Sequence, residues 1–133
     1  MKLREEFIVQ FRGETLGTID NMSSAEESFQ NTVLRPILKL QNDLLIDVFR
    51  NYISKYKGEF YSYSAEKKMQ YIENAIQKDI KFRNSLKGMV IGLFTIEEYA
   101  SYIKNSSSLN KRMMNMLTER LKSQVQLFEV LAE

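Results

Sequence analysis

From Ser23 to the C-terminus, apolar residues recur at three- and four-residue spacing, and a single proline, Pro36, interrupts them. That spacing is the period of an α-helix, whereas a half-buried strand would alternate. No long Gly/Ser linker and no internal repeat divides the chain. Its 133 residues suit one domain with one core. The expected fold class is all-α, a bundle-like domain of about five helices over residues 23–133. A short N-terminal arm or β-hairpin precedes it over residues 1–22. There the runs Phe7–Phe11 and Thr15–Ile19 are β-prone and flank Arg12-Gly13-Glu14.

Helix starts can be read from capping chemistry. Ser24-Ala25-Glu26-Glu27 and Thr95-Ile96-Glu97-Glu98 both match the capping box, in which a hydroxyl and a carboxylate satisfy free backbone N–H groups. Phe94 and Tyr99 stand where a hydrophobic staple would pair them. The first helix is expected from Ser24 to about Leu34, with Pro36 stopping or kinking the chain. A second runs from Pro36 to about Lys57, with Leu38, Leu45, Val48, Phe49, Tyr52 and Tyr56 on its apolar face. The third begins after Ser64 and continues to about Phe94, carrying Met69, Ile72, Ala75, Ile76, Leu86 and Val90. A short helix starts at Thr95 and ends near Lys104. The last begins at Asn105–Ser108 and runs almost to the end on Met113, Met114, Leu117, Leu121, Val125, Phe128 and Leu131.

The composition removes several chemistries. The chain has no histidine and no cysteine. Ser-His-Asp catalysis, imidazole proton shuttling, thiol nucleophiles, disulfides and the usual zinc sites are therefore excluded. A general base would have to be a carboxylate, a lysine or a tyrosine. A metal could be held by oxygen ligands alone, and no metal site or cofactor is expected. Asp43 and Asp47 lie four apart on the polar face of the second helix, where solvated charges are the simpler reading. The N-terminus, MKLREEFIVQF, lacks a long apolar run and a small-residue cleavage site, and Met89–Phe94 is far too short to span a bilayer. These features point to a cytoplasmic protein with no membrane partner.

Net charge is +2. Residues 67–133 carry 11 Lys/Arg against 7 Asp/Glu, so the second half is mildly basic. No RNA-binding motif is present, and Phe60-Tyr61-Ser62-Tyr63, followed by Lys67 and Lys68, reads as a loop folding its aromatic rings onto the core rather than as a base-stacking platform. A nucleic-acid partner is thus not indicated.

Polar residues that interrupt the apolar stripes are the candidate site. Asp79 and Arg83 lie four apart among Ile72, Ile76, Leu86 and Val90. Gln41 and Asn42 sit beside Leu38, Leu45 and Phe49. Asn110, Arg120 and Gln124 interrupt the last stripe. A buried charge must be paired and hydrogen-bonded, so these residues are expected to form a polar network, an oligomer interface, or a cleft in which Arg83 and Arg120 bind an anion. At least Asp79 and Arg83 are expected to be substantially buried. Gly88 and Gly92, also four apart, fall on one helix face and would allow close helix packing. They do not match a phosphate loop, which needs a preceding strand.

The segments NTVLRPILKLQNDLLI, IENAIQKDIKFRNSLKGMVIGLFTIEEY and NKRMMNMLTERLKSQ resemble a small group of bacterial proteins of unknown function, some of them labelled glyoxalase. The resemblance covers most of the chain from about Arg12 and implies a compact helical protein. It does not carry the label with it. Metal-dependent glyoxalases are built from βαβββ units and hold their metal with His and Glu, and no residue here matches that site. The functional expectation is a non-enzymatic interaction or assembly protein that associates with itself or with a protein partner. The alternative is a helical bundle binding a small ligand or anion, with enzymatic activity left open.

Overall fold

The computed structural model describes residues 3–13, 24–55 and 59–128. The fold is all-α, with no strand among the described residues. In chain order the helices are α1 (Leu3–Arg12), α2 (Ala25–Phe29), a π-helical turn (Gln30–Leu34), α3 (Arg35–Leu40), α4 (Asn42–Lys55), α5 (Ala65–Lys78), α6 (Ile80–Ile91), α7 (Ile96–Ile103) and α8 (Ser106–Ser123). Short 3-10 turns cover Phe60–Ser62 and Val125–Leu127. No described helix is long and apolar enough to cross a membrane.

The helices differ from the sequence expectation at identifiable residues. Phe7–Phe11 lies in α1 and is helical, not a hairpin strand; Thr15–Ile19 lies outside the described residues. Pro36 does not end a helix. The Arg35 N–H bonds to the Gln30 carbonyl, five residues back, so the chain widens into a π turn ahead of the ring and continues as α3. Proline lacks an N–H and crowds the carbonyl four residues earlier, that of Thr32. That carbonyl accepts instead from Arg12 Nη2 at 3.3 Å. The second helix breaks at Gln41, and the third breaks at Asp79, whose backbone is extended (φ −84°, ψ 100°). The last helix stops at Ser123 and gives way to a 3-10 turn.

The core lies where α4, α5, α6 and α8 meet. Phe49 of α4 is fully buried, and the rings of Tyr52, Phe60, Tyr71, Phe82 and Phe128 surround it at centroid distances of 5.0–6.3 Å. Four of these contacts are edge or tilted and the one to Tyr52 is stacked, arrangements that suit the aromatic quadrupole. Phe60 is in the core, and the Lys67 and Lys68 ammonium groups stand over Tyr63 and Phe60 at 4.6 and 5.6 Å. Phe60 thus packs inward and Tyr63 lies half-buried against the core, while Tyr61 is exposed, and the two lysines serve internal cation–π contacts. Met69, expected in the core, is instead exposed at the start of α5.

Candidate functional site

Arg12, at the last turn of α1, is deeply enclosed, with 7% of its side chain exposed. Its two terminal nitrogens donate to both Glu98 carboxylate oxygens, at 2.5 and 2.8 Å. They also reach the Thr32 carbonyl and, at 3.4 Å, the Leu93 carbonyl. Arg12 therefore joins α1, the π turn, the end of α6 and α7 in one knot. Its Nε is buried without a hydrogen-bond partner. Glu98 also completes the α7 capping box: its carboxylate accepts from the Thr95 N–H at 2.9 Å, and Thr95 Oγ1 accepts from the Glu98 N–H at 3.1 Å. Burial pushes the Glu98 carboxyl up, but the Arg12 and Thr95 hydrogen bonds and the guanidinium charge outweigh it and hold it below the usual carboxylate value.

This anchoring sets the orientation of α7. Glu98 and Tyr102 face inward, and the Tyr102 hydroxyl is hydrogen-bonded to the Asn110 side chain. Burial raises the Tyr102 pKa, with the Asn110 bond opposing. The Phe94 ring meets Tyr102 at 5.5 Å, not the expected staple partner Tyr99, which is exposed. The opposite face carries Ile96, Tyr99, Ala100 and Ile103, all exposed, with Ile96 at 68% and Ile103 at 56%. At 100° per residue these four project within one arc. The helix thus turns its apolar stripe outward and its bonding side inward. α1 has a similar outer row, Leu3, Phe7 and Phe11, with the two rings stacked at 6.0 Å. Beside it a half-open hollow of about 490 Å³ is lined by Phe11, Pro36 and Leu40 with Arg12, Arg35 and Lys39.

The residues singled out from sequence separate into distinct places. Asp79 and Arg83 are each half-buried and form no ion pair with each other. Asp79 is the N-cap of α6: its carboxylate accepts from the Phe82 N–H at 3.2 Å and from the Tyr52 hydroxyl at 2.9 Å. The expected pair fails because Asp79 is the non-helical N-cap of α6: Arg83 follows one turn on, its N–H bonded to the Asp79 carbonyl at 2.8 Å, but the Asp79 carboxylate turns to the Phe82 N–H and the Tyr52 hydroxyl. Gln41 donates to the Met89 carbonyl at 3.3 Å, tying α4 to α6. Gly88 is exposed, and a Cβ added to it would meet nothing within 4 Å. A Cβ on Gly92 would meet only the Gly88 carbonyl, at 3.1 Å. The glycine pair therefore makes no close helix contact among the described residues; Gly92 ends α6, and its carbonyl accepts from Arg4.

Asn42, Arg120 and Gln124 do come together. Asn42 and Gln124 exchange two amide hydrogen bonds at 2.8 Å, and Arg120 Nη1 donates to Asn42 Oδ1 at 3.3 Å. This joins the start of α4 to the end of α8. Arg120 lines an open cleft of about 520 Å³ with Arg35, Leu38, Met116, Glu119, Ser123 and Gln124.

Sequence reasoning missed Arg12 because it was assigned to a turn between strands. It missed the role of α7 because periodicity gives a helix an apolar face without saying which way that face points. Compared with protein-family models, with curated proteins and with solved structures, the chain matches none.

Proposed function

We propose that this protein is an assembly module that pairs with a second copy of itself through α7, and that it acts by interaction rather than catalysis. The outward apolar stripe of α7 carries this reading. The stripe is symmetric in spacing: Ile96 and Ile103 stand at its ends, and Tyr99 and Ala100 at its middle. Two such helices running antiparallel would set Ile96 against Ile103 of the second copy, and Tyr99 against Ala100. The small side chain at the centre lets the axes approach, as ridges-into-grooves packing requires. Glu97 and Lys104, both exposed, lie on the same flank at opposite ends, so each would face the opposite charge across the pair. A self-complementary patch is what a two-fold interface needs.

The stripe offers a few hundred Å² of apolar surface, which is below a standard interface of roughly 800 Å² per partner. The pairing is therefore reversible and concentration-dependent. The absence of histidine and cysteine from the chain is in keeping with a non-catalytic role. A cytoplasmic location, a bacterial source and kinship with the helical bacterial proteins it resembles belong to the same proposal. Sedimentation velocity over a concentration series tests it. The weight-average coefficient should climb from monomer toward dimer, and Ile103→Lys should hold the chain monomeric. A wild-type chain that stays monomeric throughout, or a dimer that Ile103→Lys leaves intact, would reject the reading.

A further inference from the structure

The cleft between α3 and α8 contains two arginines that no carboxylate pairs with among the described residues. Arg120 projects from the last turn of α8 and is half-buried, and Arg35 approaches from the start of α3. Neither forms an ion pair among the described residues. Arg120 offers five N–H donors, and its single side-chain donation among the described residues, to Asn42 Oδ1, is long at 3.3 Å. That acceptor is better served by Gln124 Nε2 at 2.8 Å. The Arg120 carbonyl accepts from Gln124 Nε2 and from Ser123 Oγ, at 3.0 and 2.8 Å. The surroundings thus fix the arginine's backbone and one corner of its guanidinium, and leave its other donors unused.

Burial, with repulsion from Arg35, depresses the Arg120 pKa. The one carboxylate in the lining, Glu119, has a side chain 77% exposed and pairs, at 4.0 Å, with Lys122 rather than with either arginine. Arg12 provides the internal contrast, since the more deeply enclosed guanidinium there has a bidentate carboxylate. A half-buried arginine that faces a second arginine across open space lacks the anion that arrangement favours.

We propose that the cleft binds a phosphate group, free or as a monoester, gripped between the guanidinium groups of Arg35 and Arg120. The two planar forks match the oxygens of a tetrahedral dianion. Leu38 and Met116 supply an apolar wall on which the organic part of a monoester can rest. Asn42 and Gln124 position Arg120 and do not touch the ligand, because their amides are already engaged with each other.

The test is titration of the whole chain at fixed ionic strength with inorganic phosphate, phenyl phosphate and acetate, followed by side-chain NMR of the arginines and by calorimetry. Phosphate and phenyl phosphate should both shift the Arg120 signals and bind more tightly than acetate. Tighter binding of phenyl phosphate would assign the site to monoesters, and equal binding would assign it to the free ion. Arg120→Gln and Arg35→Gln should each weaken phosphate by about tenfold or more. Arg120→Lys, which keeps the charge but loses the fork, should fail to restore full affinity. Arg50→Gln, in the second half of α4 and not among the residues that line the cleft, should change nothing. Arg35 is on the surface, so its variant keeps the test open even if Arg120→Gln unfolds the chain. The proposal is overturned if phosphate shifts no arginine signal, if both glutamine variants bind as the parent does, if Arg50→Gln weakens binding equally, or if acetate binds as well as phosphate.

Discussion

α7 and α8 are neighbouring amphipathic helices that face opposite ways. α8 buries Leu109, Met113, Met114, Leu117 and Leu121 and leaves Lys111, Asn115 and Glu119 outside. α7 leaves Ile96, Tyr99 and Ile103 outside and turns Glu98 and Tyr102 in. The long helix is oriented by area removed from water, which grows with every turn. The short helix has only two turns of apolar surface to bury. Directional bonds decide its orientation instead: a bidentate arginine, a complete capping box and a tyrosine–asparagine hydrogen bond. A few polar contacts can therefore turn a short helix against its own amphipathic pattern, and the apolar stripe is then left for another surface.

Removing each orienting force should show this difference, with the largest losses first. Leu117 of α8 is fully buried, so Leu117→Ala should lower unfolding free energy by about 3 kcal/mol, the usual cost of a core truncation. Arg12→Ala should cost about as much, roughly 3 kcal/mol, because it strands Glu98 and two backbone carbonyls. The two variants would differ in kind. Arg12→Ala should also loosen the amides of α7 in hydrogen exchange well before the core opens, whereas Leu117→Ala should speed exchange across the core. Urea melts and native-state exchange read both.

Glu98 gives the same anchor a pH signature. Its folded-state pKa is depressed, so its contribution is fully present above the unfolded carboxyl value, near pH 4.3. It is lost as pH falls from there through the lower folded value. Glu98→Gln should be less stable than the parent at neutral pH, and the gap should close on acidification through that window. Melts taken from pH 7 downward would decide this, and a gap that is constant or widens would mean the Arg12 pairing does not hold Glu98 ionised. At the small end, Ile103→Lys should leave the unfolding free energy of the monomer within about 0.5 kcal/mol. A larger loss in dilute urea melts would mean that the outer face of α7 already packs within its own chain.

Periodicity revealed the all-α class and the residues Leu38, Leu45, Phe49, Ile72, Ile76, Leu86 and Val90 of the core, and the Ser/Thr-x-x-Glu pattern marked the caps at Ser24 and Thr95, of which Thr95 completes the box whereas Ser24 caps only through its own hydroxyl. These features arise from local spacing and local hydrogen bonds. What it could not supply was phase across a break. Asp79 sits among apolar neighbours in the sequence, and a continuous helix would have buried it beside Arg83. Its short carboxylate instead caps a new helix, an alternative that Asp takes readily and that needs no proline or glycine to announce it. Asp79→Ala should therefore cost about 1 kcal/mol, the worth of a cap, rather than the roughly 3–5 kcal/mol of a broken buried ion pair. The same reasoning explains Arg12. Its partners come from the π turn, the end of α6 and α7, none of which is near it in sequence. Arg120, Asn42 and Gln124 were legible as polar interruptions and do meet, whereas Arg35, adjacent to Pro36, gave no sign that the helix continues through it into the same cleft.

The most direct test of the outward role of α7 uses the absence of cysteine from the chain. Ala100→Cys places one thiol at the centre of the symmetrically spaced stripe, next to the expected two-fold axis. Disulfide formation needs Cα atoms about 4.4–6.8 Å apart, a distance that packed antiparallel helices reach only near that axis. Under mild oxidation at a concentration where the parent chain associates, Ala100→Cys should be captured rapidly as a covalent dimer. Lys111→Cys, on the outer face of α8, should remain monomeric under the same conditions. Slow capture of the two variants at equal rates, or faster capture through Lys111→Cys, would contradict self-assembly through α7.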